Sequence, residues 1–278
     1  MKEKFQAVRL VVSDLDGTLL STDKSISSQN LAAIKRLRDH GIAFTFASGR
    51  MSQMLEAYVS QLSVTIPIIS CDGAKIIDLM SNRVLYSQFL DAREAEDLLD
   101  FAADCGMDYL AFTMDKVYLT EDSIRTRNFA AYNDIAIQNS TEPMPLYVFN
   151  HDHREIAENG ILKILIAEKN GTDLDQVRQH IAASRQIYAE MPEDNLIDVL
   201  QIGTSKGAAV ARLANELGIS LANVCVIGDY LNDISMLQVA GYSIAMGNAQ
   251  EEVKKVAMVL TETNDHNGFA KAIEQYVL

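Results

Sequence analysis

Long apolar runs are missing from this chain. Its hydrophobic stretches are short and broken by charge, and none approaches the roughly 20 residues that span a bilayer. The opening Met-Lys-Glu-Lys-Phe lacks the layout of a secretory signal, so a cytoplasmic location is expected. Cysteine is scarce. Cys71, Cys105 and Cys225 are odd in number, widely spaced, and form no Cys-x-x-Cys pair. That excludes a disulfide framework and a zinc site, and leaves buried free thiols as the expectation. Positive charge is in deficit: 24 Lys and Arg stand against 38 Asp and Glu, a formal net charge of −14. Such a surface repels phosphate backbones and anionic lipid, so nucleic acid and membranes are disfavoured partners. An anionic ligand would need a site that gathers positive charge locally. There are no internal repeats and no low-complexity segments.

What is present is an ordinary globular composition, 278 residues with 48% hydrophobic and 22% charged. That length supports one large domain or two modest ones. Val8 to Val12 reads as a strand buried on both faces. A helix follows from about Ser28 to Asp39, with Leu31, Ile34 and Leu37 on one face and Gly41 just past its end. Ile42 to Ala47 and Ile66 to Ile69 continue the rhythm as strands. Strand, helix, strand, helix, strand predicts a parallel sheet with right-handed crossovers. The rhythm resumes late. A helix from Ser205 to Leu217 leads to strands at Val224 to Ile227, Tyr242 to Met246 and Met258 to Leu260, with helices between and after them. The middle differs. Its strands, Tyr109 to Thr113, Val117 to Thr120 and Leu162 to Glu168, alternate more, and its helices Ala92 to Ala103 and Asp173 to Ala183 are amphipathic. Three of the four prolines, Pro143, Pro145 and Pro192, also fall there. The expected fold is α/β, a Rossmann-like doubly wound parallel sheet interrupted by an α+β insertion. The expected boundaries are 1–82 plus 195–278 for the core and 83–194 for the insertion.

Four clusters carry chemistry, each at a strand end or a helix start, where open α/β sheets bind ligands. The first is Asp14-Leu15-Asp16-Gly17-Thr18-Leu19, in which two carboxylates leave a buried strand together and Gly17 permits a sharp turn. Like charges this close need a cation or a proton, and Mg²⁺ favours oxygen ligands. The second, Ser48-Gly49-Arg50, offers a hydroxyl and backbone N–H groups to an anion. The third is Ser205-Lys206-Gly207. A lysine at a helix N-terminus opposes the macrodipole, which makes sense opposite phosphate. The fourth is Gly228-Asp229-Tyr230-Leu231-Asn232-Asp233, with two more carboxylates after a strand. Singly, each has a plainer reading as a helix cap, a turn or an exposed lysine. Four such coincidences on one sheet edge are improbable.

In this order the clusters resemble the four motifs of the haloacid dehalogenase-like (HAD) phosphatase superfamily. The large insertion, with Ala245-Met246-Gly247-Asn248-Ala249 near the end, is similar to the Cof-type branch (subfamily IIB) with a C2B cap. The resemblance covers nearly the whole chain. It implies Asp14 as nucleophile and Asp16 as general acid, then base. It implies Ser48 and Lys206 as phosphoryl ligands beside Gly17 and Gly49, with Asn232 contacting phosphate or substrate. Mg²⁺ would be held by Asp14, the Asp16 backbone carbonyl and Asp229, with Asp233 assisting. The implied activity is Mg²⁺-dependent hydrolysis of a small phosphorylated metabolite, such as a sugar phosphate or a nucleotide- or cofactor-like phosphate. The alternatives are a hexose phosphomutase of the same superfamily and a non-catalytic metabolite-binding regulator. No nucleic acid or membrane partner is expected, and the chain is expected to be a monomer or weak homodimer. Two positions depart from the pattern. Ser48 replaces the usual threonine and keeps the hydroxyl. Asp72 replaces the usual asparagine and adds negative charge near the site, which would disfavour highly anionic substrates or favour those with an amine or hydroxyl. The pair His151 and His153 reads as part of a solvated loop.

Overall fold

The computed structural model describes residues 5–138, 141–149, 152–169, 173–193 and 195–278. In it the early and late apolar runs form one five-stranded parallel sheet. Across the sheet the order is Val259–Leu260, Tyr242–Ala245, Val224–Gly228, Leu10–Ser13 and Ala43–Phe46. Leu10, Val11 and Val12 are fully buried, as a strand covered on both faces requires. From Leu10–Ser13 the chain winds outward in one direction to Ala43–Phe46. It later winds outward in the other, from Val224–Gly228 to Val259–Leu260. The switch point therefore lies between Leu10–Ser13 and Val224–Gly228, and the crevice for a ligand opens there.

The helix Ser28–Asp39 forms over the expected residues, capped by Ser27, whose hydroxyl accepts from Asn30 N. Its buried stripe is Asn30, Ala33, Ile34 and Leu37; Leu31, expected on that face, is exposed. The expected third parallel strand, Ile68–Ser70, touches the main sheet only through the bridge of Ala47 with Ile69, and pairs antiparallel with Lys75–Asp78. Pro67 has no N–H to extend the ladder, and Thr45 Oγ1 donates to its carbonyl instead.

The chain divides into two compact units: Met1–Gly49, Tyr58–Leu85 and Ser205–Leu278 in the first, Arg50–Ala57 and Tyr86–Thr204 in the second. The boundary expected at 195 falls too early. Leu196–Gln201 pairs with both Lys163–Ala167 and Ile187–Glu193 and so belongs to the second unit's sheet. That sheet has six strands, antiparallel except for the pair Val117–Leu119 and Leu146–Val148. The helices Ala92–Asp104, His153–Glu158 and Leu174–Ile181 share a core with Ala111, Ile164, Ile166 and Val199. Among the described residues no helix is long and apolar enough to cross a membrane.

Candidate active site

Parallel pairing fixes the first contact. Ser13 lies opposite Ile227, so Asp14 and Asp229 leave neighbouring strand ends within one residue of the same level, and Asp14 N donates to Ile227 O at 2.9 Å. Lys206 enters from the first turn of the helix Lys206–Glu216, whose N-cap is Ser205. Its side chain is almost wholly buried, and Nζ donates to Asp14 Oδ1 at 2.7 Å and to Asp233 Oδ1 at 2.6 Å. The other oxygen of Asp233 accepts the N–H groups of Asp229 (2.8 Å) and Tyr230 (3.0 Å), so Asp233 holds the loop that carries Asp229. Carboxylate oxygens of Asp14, Asp229 and Asp233 lie within 4.8 Å of one another, and all three residues are buried.

Burial pushes the Asp14 carboxyl well above the usual carboxylate range. Lys206 opposes the shift, while Asp233 and Asp229 add to it. Asp229 is pushed up to about 7 by burial and then by Asp233. Burial alone would lower Lys206, but the charges of Asp14, Asp233 and Asp72 hold its ammonium well above its ordinary value. A single buried ammonium thus leaves these carboxylates short of positive charge. The donors on offer are all oxygens, and a hard divalent cation such as Mg²⁺ fits both the chemistry and the charge deficit.

The turn after Asp14 is shaped by contact. Gly17 has φ +80°, and a Cβ there would lie 2.3 Å from Asp229 Oδ2. Thr18 Oγ1 donates to Asp229 Oδ1 at 2.6 Å. Asn248 Nδ2 donates to Gly17 O at 2.8 Å and reaches Asp229 Oδ2 at 3.4 Å, while its Oδ1 accepts from Asn264 N. Sequence reasoning gave Thr18 and Asn248 no role, although both stand inside the motifs it singled out. Nothing local in the sequence says that two such distant residues meet on one carboxylate. Asp16 is half-exposed and pairs with Lys24 Nζ at 2.7 Å.

Ser48 is buried; its N–H donates to Ile69 O, and its carbonyl accepts from Asp72 N at 3.1 Å. Asp72 is fully buried, with φ +52° after Cys71 at φ +49°. Its Oδ1 accepts from Asn232 Nδ2 at 3.0 Å, and a Cβ on Gly49 would lie 2.9 Å from its Oδ2. The charge expected to face substrates is therefore turned into the protein. The structure brings Asp14, Lys206, Asp229 and Asp233 into direct contact, with Gly17 against them. Ser48, Gly49 and Asn232 gather around Asp72.

Two side expectations change. His153 is no loop residue. It starts the helix His153–Glu158, is buried, and bonds Tyr109 Oη at 3.1 Å and Asp100 Oδ1 at 2.7 Å. Its expected companion His151 lies outside the described residues. Cys71 and Cys225 are buried free thiols, whereas Cys105 is half-buried.

Residues 11–273 match the family model described as haloacid dehalogenase-like hydrolase. A 5-amino-6-(5-phospho-D-ribitylamino)uracil phosphatase of Bacillus subtilis, YwtE, is 29% identical, over 96% of this chain and 98% of its own. The pyridoxal phosphate phosphatase YbhA of Escherichia coli is 26% identical, over 97% and 99%. The crystal structure of a haloacid dehalogenase-like hydrolase from Bacteroides thetaiotaomicron superposes with a TM-score of 0.80 at 29% identity, covering 96% of this chain and 99% of that one.

Proposed function

The chain belongs to the haloacid dehalogenase-like hydrolase family, as an enzyme of its phosphatase branch, and we propose that it hydrolyses small phosphomonoesters through an aspartyl-phosphate on Asp14. One observation carries this reading. Lys206 ties Asp14 to Asp233 in a buried cluster completed by Asp229, a constellation whose deficit of positive charge a divalent cation would offset. Lys206 takes Oδ1 of Asp14, which leaves Oδ2 as the attacking oxygen. The new bond forms from Oδ2 to phosphorus, and the ester P–O bond breaks. Asp16 gives its proton to the departing alkoxide. Water then attacks the same phosphorus, Asp16 takes its proton, the acyl-phosphate P–O bond breaks, and Asp14 returns with inorganic phosphate released. Covalent catalysis splits the displacement in two, and positioned positive charge meets the equatorial oxygens.

Asp14, the Asp16 carbonyl and Asp229 would hold Mg²⁺, with Asp233 behind them. When bound, the ion supplies the second positive charge that keeps Asp14 ionised and offsets phosphoryl charge. Lys206, Ser48 and Asn232 bind the phosphoryl group. The second unit is the substrate-selecting cap. Of its four connections to the first unit, Gly49–Arg50 and Thr204–Ser205 adjoin Ser48 and Lys206 in sequence, so these two lead straight from the cap to phosphate-binding positions. The named activities of the relatives support cofactor-like phosphates as the substrate class. We place the enzyme in the cytoplasm, in keeping with its three free thiols.

The test is phosphate release from a panel of small phosphomonoesters, with and without Mg²⁺, by wild type and Asp14→Asn. Metal-dependent release that the substitution abolishes is expected. Release that survives Asp14→Asn would overturn the covalent route.

A further inference from the structure

Asp72 has no assigned role, yet the fold strains to place it. Cys71 and Asp72 are consecutive non-glycine residues with left-handed φ, of +49° and +52°. Asparagine and aspartate tolerate that region better than most residues, but two in succession persist only where surrounding contacts over-determine them. Here the contacts are specific. Asp72 N donates to Ser48 O at 3.1 Å, and its carboxylate lies flat against Gly49, where a Cβ would sit 2.9 and 3.0 Å from its two oxygens. Its Oδ1 then receives Asn232 Nδ2 at 3.0 Å. Asp72 is fully buried, so it cannot touch a ligand itself, whereas Asn232 is partly exposed.

An amide can present either its N–H₂ or its carbonyl end, and the two differ little in shape. An ionised carboxylate only accepts hydrogen bonds, so it admits only the nitrogen end of Asn232. Once one N–H is committed to Asp72, the second N–H is held in a fixed plane. A phosphoryl oxygen requires a donor. A flipped Asn232 would instead offer it a carbonyl oxygen and repel it.

We infer that Asp72 is a positioning residue for the phosphate site: it locks the Asn232 amide with its nitrogen as the donor to the phosphoryl group. This rests on the reading of Asn232 as a phosphate ligand given above. The same residue, by its N–H to Ser48 O and its carboxylate against Gly49 and Asn232, joins the second and fourth sequence motifs.

The test uses Asp72→Gly, which adopts the positive φ without strain and deletes the carboxylate, and Asp72→Asn, which keeps an acceptor oxygen. Steady-state kinetics with p-nitrophenyl phosphate and Mg²⁺ are paired with inhibition by inorganic phosphate, in wild-type and Asn232→Ala backgrounds. Losing one charge-assisted hydrogen bond predicts that Asp72→Gly raises KM and the phosphate inhibition constant about tenfold, with kcat changed less than about threefold. Asp72→Asn, whose amide pairs with either end of Asn232, gives a smaller rise in both constants than Asp72→Gly, and Asp72→Gly adds nothing once Asn232 is alanine. Equal, additive losses in the two backgrounds would overturn the proposal, as would wild-type constants in Asp72→Gly. If Asn232→Ala alone leaves both constants unchanged, the reading of Asn232 as a phosphate ligand fails, a result seen without any Asp72 variant. Thermal melts of every variant separate loss of positioning from loss of fold.

Discussion

Lys206 answers two carboxylates with one ammonium, and its removal leaves both in a buried site. Lys206→Met keeps the length of the apolar stem and deletes the charge. Removing one partner of a buried ion pair typically costs about 3–5 kcal/mol, because the remaining charge is left without compensation. A loss of that size is expected in metal-free urea unfolding at pH 8. Phosphate release should fall by about two orders of magnitude or more, since on the proposed route the residue also faces the developing charge. Retained stability would mean that Asp14 sheds its charge by taking up a proton. Asp229 makes the complementary case. Its folded pKa, about 7, lies above the 3.8 of an unperturbed aspartate. Between those values the folded, metal-free protein binds more protons at this residue than the unfolded chain does. Its contribution to stability is therefore present below the lower value and lost as pH rises toward 7. Asp229→Asn mimics the protonated form and keeps an oxygen for Thr18 Oγ1 to donate to. Without metal, the variant should melt above wild type at pH 8, and the gap should close at pH 5. A gap independent of pH would show that Asp229 does not carry this strain.

The turn Asp14–Leu19 is where element geometry decides function. Gly17→Ala meets two obstacles: φ +80° and Asp229 Oδ2 at 2.3 Å from the new Cβ. The conformational part costs about 1–2 kcal/mol. Gly218→Ala isolates that part, because Gly218 has φ +64° with nothing within 4 Å of its Cβ position. Both variants should lose similar stability from strain, but only Gly17→Ala should weaken Mg²⁺ binding, read by the metal-induced shift in melting temperature. The contrast also shows what the sequence could tell. The helix Ser28–Asp39 was legible because its cap, periodicity and terminal glycine agree, and the central strands were legible because both faces are buried. The strand Lys75–Asp78 was not, because four residues carry too little periodicity to separate strand from loop. Leu196–Gln201 was legible as apolar but not as belonging to the insertion, since only pairing assigns a strand to a sheet. At the site, the cluster residues could be read from motif spacing. Thr18, Asn248 and the inward turn of Asp72 could not, because each depends on a contact distant in sequence.

At the scale of the whole molecule, the acidic composition and the site pose one electrostatic problem. A chain of net charge −14 concentrates further carboxylates at the point where it is to receive an anion. Exposed acids behave in the ordinary way. Side-chain hydrogen bonds from Ser25 and Ser81 hold Asp23 and Asp78 below the usual range, and backbone and side-chain donors of Thr22 do the same for Asp265. Their contributions are present above the usual aspartate pKa and fade as pH falls through their lowered values. The buried cluster runs the opposite way, and a divalent cation competes with its protons. Anything that binds the folded state alone raises stability in proportion to the logarithm of its concentration over its dissociation constant. If protons occupy Asp229 up to about pH 7, the constant for Mg²⁺ should tighten as pH rises through that region. At a fixed millimolar Mg²⁺ concentration, the rise in melting temperature over chelator-treated protein is therefore expected to be small at pH 5.5 and to grow toward pH 8. Asp229→Asn should flatten that growth, because it removes the competing proton together with a ligand charge. A metal-induced shift that is equal at both pH values in the wild type would separate metal binding from Asp229. It would also mean that the metal displaces no proton from Asp14 over that range.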